Sequence, residues 1–143
     1  MKSIKYQLPP QQPLLIAAEP EVLYATTPKS KQYKIGSFSQ LNKMLLFSQA
    51  EWADILHISD RTLQRYIKEN KPFEGLHAEH LYQLENMANL ALTVFSTPED
   101  VKNWLLKPKE VLGKILDFST LQSFWGVKLL SNELGRIAYG VYI

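Results

Sequence analysis

Seven residues between positions 59 and 68 have the side chains best suited to grip a ligand: Ser59, Asp60, Arg61, Thr62, Gln64, Arg65 and Lys68. On a helix that Ser59 can cap, Leu63, Tyr66 and Ile67 fall inside and the other six stay outside. Arginine pairs bidentately with guanine edges and glutamine with adenine, while threonine meets a phosphate or a thymine methyl. Arg61 and Arg65 stand one turn apart on one face, and a helix N-terminus itself attracts phosphate. The spacing predicts a helix that enters the DNA major groove by its N-terminal half.

Other chemistry has thinner support. His77 and His80 sit three apart with Glu79 between them, but no third metal ligand is evident, so His80 is expected against the core and His77 in solvent. There is no cysteine nucleophile, no glycine-rich phosphate loop and no serine with a recognisable histidine partner. The carboxylates Glu99 and Asp100 are explained by a helix start. The expectation is a binding protein, with no metal, no cofactor and no catalysis of its own. Trp52, Trp104 and Trp125 occupy apolar positions and are expected in the core.

The elements that must hold the seven residues are legible upstream. Ser48-Gln49-Ala50-Glu51 is a capping-box sequence, Ala53 is small enough for a close helix crossing, and Ser59 can cap the next helix. A helix-turn-helix is therefore expected from about Ser48 to Lys68. Its departure from pattern is His57, which stands where a glycine commonly accepts a positive φ. The same signals also fit two helices of an ordinary bundle whose charges are merely solvated.

Around this unit the periodicity is helical from Ser37 onward, with an amphipathic helix from about Gly75 to Phe95 whose stripe is Leu76, His80, Leu84, Met87, Leu90, Ala91 and Val94. Thr97-Pro98-Glu99-Asp100 starts another helix, which runs to about Leu106. A short helical turn at Glu110 to Leu112, a break at Gly113, a segment opening at Ser119 and a last helix from about Gly126 to Tyr139 complete the reading. No β-pattern of any length is visible, so the fold class is all-α. Residues 1–36 hold five of the eight prolines and read as an extended arm, 37–95 as the helix-turn-helix unit with its long connecting helix, and 96–143 as a small helical domain.

The net charge of the 143 residues is only +2, and residues 73–95 carry three Glu with no Lys or Arg. Any DNA surface must be local, which favours a homodimer that doubles a modest basic patch. The absence of cysteine suits a reducing compartment. Neither a membrane span nor a secretion signal is recognisable, so a cytoplasmic location is expected.

The C-terminal third carries a family likeness. Val94-Phe95, Trp104-Leu105, Val111-Leu112-Gly113, Gly126 and Leu134-Gly135-Arg136-Ile137-Ala138-Tyr139-Gly140 resemble, in order and spacing, the toxin-binding domain of the Xre/MbcA/ParS-like antitoxins. The stretch Trp52 to Tyr66 is similar to the Xre-type helix-turn-helix joined to it, so the likeness spans roughly residues 38–143. It departs from the family in lacking a proline shortly after Gly113, where Ile115-Leu116-Asp117 stands, and nothing is carried over between Gly113 and Gly126.

The resemblance implies a toxin–antitoxin protein: the C-terminal domain would bind and occlude a RES-domain toxin, of a family that consumes NAD, while the helix-turn-helix represses the shared operon at its operator DNA. On residues alone, the uncharged tail Tyr139 to Ile143 can either fold back on the core or anchor a partner. The resemblance points to the second reading, with Arg136, Tyr139, Gly140, Tyr142 and Ile143 contacting the toxin. The alternative is a stand-alone dimeric regulator whose C-terminal helices only dimerise it. A third reading is an interaction module that has lost DNA binding.

Overall fold

A computed structural model describes residues 31–140, and within them the fold is all-α, with six helices and two small antiparallel ribbons. In chain order the elements are β1 (Gln32–Tyr33), α1 (Ile35–Leu45), α2 (Gln49–Leu56), α3 (Asp60–Glu69), β2 (Phe73–Glu74), α4 (Gly75–Val94), α5 (Pro98–Leu106), β3 (Lys109–Val111), β4 (Lys114–Leu116), a 3₁₀ turn (Phe118–Gln122) and α6 (Phe124–Tyr139). The proline-rich arm falls on residues 1–30, outside the described residues.

The caps read from sequence form as expected. Ser48 Oγ accepts the Glu51 N–H at 3.1 Å while Glu51 Oε1 accepts the Ser48 N–H at 2.8 Å. Thr97 Oγ1 accepts the Asp100 N–H at 3.2 Å, with Pro98 in the first turn. Each such cap is worth about 1 kcal/mol, because it satisfies a backbone donor that the helix leaves open.

α4 is the central helix and packs against α6, α1 and α5. His80, Leu84, Met87 and Ala91 of the expected stripe are buried, but so are Ala78, Leu81 and Ala88 on another side. A helix enclosed on two sides loses the clean amphipathic signature. Leu76, expected inside, is 74% exposed in the first turn, and the buried positions begin at Ala78.

Three expectations need correction. The chain leaves its extended course earlier than Ser37: Gln32–Tyr33 pairs with Phe73–Glu74, and α1 starts at Ile35, with Tyr33 fully buried. Second, residues 110–112 do not make a helical turn. They belong to a hairpin in which Lys109 faces Leu116 and Val111 faces Lys114. The two-residue loop has positive φ at both Leu112 (53°) and Gly113 (82°). That combination matches the twist of antiparallel strands, but it is normally signalled by Asn-Gly, so Leu-Gly concealed it. Third, α6 begins at Phe124, capped by Ser123, whose Oγ accepts the Gly126 N–H at 2.9 Å.

Tyr33 ties the first ribbon to α4 by donating from its hydroxyl to Glu85 Oε1 at 2.7 Å. Burial, followed by this carboxylate, pushes its ionisation well above the ordinary tyrosine range. Lys102 of α5 reaches back to the end of α1 and to α2: Nζ donates to Leu46 O at 2.8 Å and pairs with Glu51 at 3.4 Å. No helix among the described residues is long and apolar enough to cross a membrane.

Candidate nucleic-acid interface and an apolar groove

The turn between α2 and α3 is closed by backbone geometry. His57 is left-handed (φ 59°, ψ 41°), its N–H bonds Asp54 O at 3.3 Å, and the Ile58 N–H bonds Ala53 O at 3.1 Å. This pair is the Schellman termination. The departure from glycine is thus accommodated, and the imidazole makes a long-range bond that glycine could not, with Nε2–H donating to Gln122 O at 2.7 Å.

On α3, Leu63 is fully buried and anchors the helix, while Tyr66 and Ile67 are half-buried. Asp60, Arg61, Gln64, Arg65 and Lys68 are exposed. Arg61, Arg65 and Lys68 recur at four and three residues and so form one stripe. Among the described residues none of the three is held in an ion pair. Ser59 and Thr62 stand apart from this group. Ser59 Oγ accepts the Thr62 N–H at 3.0 Å and donates to Thr62 Oγ1 at 2.9 Å, so both hydroxyls are engaged in the cap.

Gln64 is oriented by a residue that the sequence reading did not single out: its Nε2 donates to Gln49 Oε1 at 3.2 Å. Gln49 opens α2 and lies next to Ser48, so the N-terminus of α2 meets the middle of α3 at this exposed amide pair. A glutamine just inside the first cap was the available signal.

The C-terminal candidates resolve differently. Arg136 is half-buried and paired with Glu133. Tyr139 is 76% exposed and does not fold back. Gly140 (φ 66°) ends α6, with its N–H on Arg136 O at 2.8 Å. Tyr142 and Ile143 lie outside the described residues.

Between the β3–β4 hairpin and α6 runs a groove of about 290 Å³, with Val111, Leu112, Leu116, Trp125 and Leu129 as its apolar walls and Lys114, Asn132, Glu133 and Arg136 as its polar ones. Trp125, expected in the core, is 60% exposed here, and Leu112 at the hairpin tip is 80% exposed. Trp125, Leu129, Asn132 and Arg136 share one helix face at spacings of four, three and four, a stripe legible in the sequence but indistinguishable there from a core stripe. Trp52 is buried and Trp104 half-buried, the latter beneath Lys109 Nζ at 4.2 Å from its ring. Burial is also the main reason that Lys109 ionises below the ordinary lysine range.

His80 completes the geometry. It is buried, and its Nε2–H donates to Leu121 O at 2.8 Å. Burial lowers its basicity, and nearby His57 and His77 add to that, against the opposing effect of the carbonyl. His77, expected in solvent, is half-buried.

The chain matches no protein-family model and no curated protein.

Proposed function

We propose that this chain is an antitoxin of a toxin–antitoxin pair: its helix-turn-helix binds operator DNA to repress its own operon, and its C-terminal third docks on and occludes a RES-domain toxin. The observation that carries the DNA half is the stripe Arg61, Arg65 and Lys68 on exposed α3, beside a Gln64 amide already oriented by Gln49. Uncompensated cations on a helix held by a buried leucine suit the negatively charged, edge-patterned major groove. Two copies would double a stripe that is modest in one.

The toxin half rests on the family likeness and is supported by the exposed apolar groove. Isolated exposed hydrophobic residues are ordinary, but Leu112 and Trp125 line a single concave surface with charged residues at its edge, as partner-binding sites do.

The decisive experiment combines two measurements. Duplex DNA from the region upstream of the gene is titrated with protein at several salt concentrations, and the chain is co-expressed with the product of the adjacent gene while growth, NAD level and co-purification are scored. Sequence-specific binding together with rescue of growth supports the proposal. Absence of specific binding removes the repressor role, and absence of rescue removes the toxin role.

The groove also favours a second reading, a stand-alone regulator that dimerises through it. Light scattering decides between the two: Trp125→Ala converts a dimer to monomer only under that second reading.

A further inference from the structure

The segment from Asp117 to Ser123 joins the two candidate surfaces. Leu116 precedes it and Trp125 follows it two residues later, and both are walls of the groove. Its carbonyls at Leu121 and Gln122 are both held, Leu121 O by His80 of α4 and Gln122 O by His57 of the helix-turn-helix turn. Leu121 is itself fully buried, and the Thr120 carbonyl lies directly against Gly126. The His57 bond joins the segment behind the groove to the residue that ends α2, two positions before the Ser59 cap of α3.

Glycine would close the α2–α3 turn with less strain than histidine, but it cannot reach Gln122. We propose that His57 is a positioning residue, and that the Asp117–Ser123 segment couples the groove to the recognition helix. Occupancy of one surface then changes affinity at the other, and the effect is reciprocal, as any binding linkage must be. The DNA side of this coupling rests on the function proposed above.

The test uses the full chain labelled with fluorotryptophan, its three fluorine resonances assigned by single Trp→Phe variants. Without DNA, His57→Asn, which keeps a residue tolerant of the left-handed turn but shortens its reach, should move the Trp125 resonance and leave that of Trp104 in place. From the other end, Trp125→Ala removes an exposed side chain and should shift the His57 imidazole resonance. Upstream duplex DNA should then move Trp125 in the wild type and not in His57→Asn, whose DNA affinity falls severalfold. His57→Gln, which again offers an N–H of sufficient reach, should restore the response.

A Trp125 resonance identical in wild type and His57→Asn, or an unmoved imidazole in Trp125→Ala, overturns the coupling. So does a DNA response that survives in His57→Asn or is not restored by His57→Gln. If the wild type binds no DNA, the DNA-binding reading fails, and the two DNA-free comparisons still decide the coupling.

Discussion

Gly126→Ala is expected to destabilise the fold even though alanine is the better helix former. A Cβ built at Gly126 would lie 2.8 Å from both the carbonyl carbon and Cγ2 of Thr120, and nearer still to the carbonyl oxygen. Backbone must move, and it is backbone held on several sides. The Thr120 N–H bonds Asp117 O at 3.0 Å, its hydroxyl accepts the Asp117 N–H at 2.9 Å, and the next two carbonyls are held by His80 and His57. Overpacking costs roughly 1–3 kcal/mol. Losing the two histidine bonds adds about 1 kcal/mol each. The gain in helix propensity returns about 1 kcal/mol. The net expectation is a loss of about 2–4 kcal/mol, which lowers the melting temperature by roughly 10 °C.

Gly135 provides the matched control, because it lies in the same helix and a Cβ there meets nothing within 4 Å. Gly135→Ala should stabilise by about 0.5–1 kcal/mol. Thermal and urea unfolding followed by circular dichroism measure both. A Gly126→Ala protein as stable as wild type would refute the close approach of α6 to the 3₁₀ turn.

Three further outcomes are expected. Arg61→Ala and Arg65→Ala should each weaken specific DNA binding by about 1–3 kcal/mol, roughly five- to a hundredfold, whereas Lys68→Ala should weaken all sequences alike and flatten the salt dependence; fluorescence anisotropy distinguishes the two, and unchanged operator affinity in both arginine variants refutes the recognition face. Stability should fall on acidification, because buried His80 resists the proton that the unfolded chain accepts near 6.5. That contribution is fully present above about 6.5, declines below it, and levels off once the folded state also protonates; urea midpoints across this range measure it, and a His80→Gln variant with an undiminished acid loss would count against His80 as the source. Leu112→Asn should stabilise the hairpin by about 1 kcal/mol, since asparagine tolerates the left-handed conformation that strains leucine, while reducing co-purification of a partner docked in the groove.

The helix-turn-helix was legible because each of its parts has a local cause. Ser48, Glu51 and Ser59 act within three residues of themselves, and Leu63 is buried by simple helical periodicity. The hairpin was not, because Leu112 adopts a conformation that its residue type disfavours and only the pairing of Lys109–Val111 with Lys114–Leu116 explains it. Trp125 marks a different limit. Apolar spacing places it on a helix face with Leu129, but whether that face is covered depends on what lies opposite, and here that is the open side of a groove. His57 combines both cases: its left-handed backbone was foreseeable from the turn, whereas its bond to Gln122, 65 residues away, is a product of the tertiary fold alone.

The position of α4 bears on how the protein would meet a protease. This helix buries side chains towards α1 as well as towards α6, so the two halves of the chain share one core. A cut in the connection at Ser96 would leave two pieces, each with a bare leucine-rich face, and both would melt or cling together again as a non-covalent pair. Degradation should therefore be all-or-none, and neither half should outlive the loss of the other.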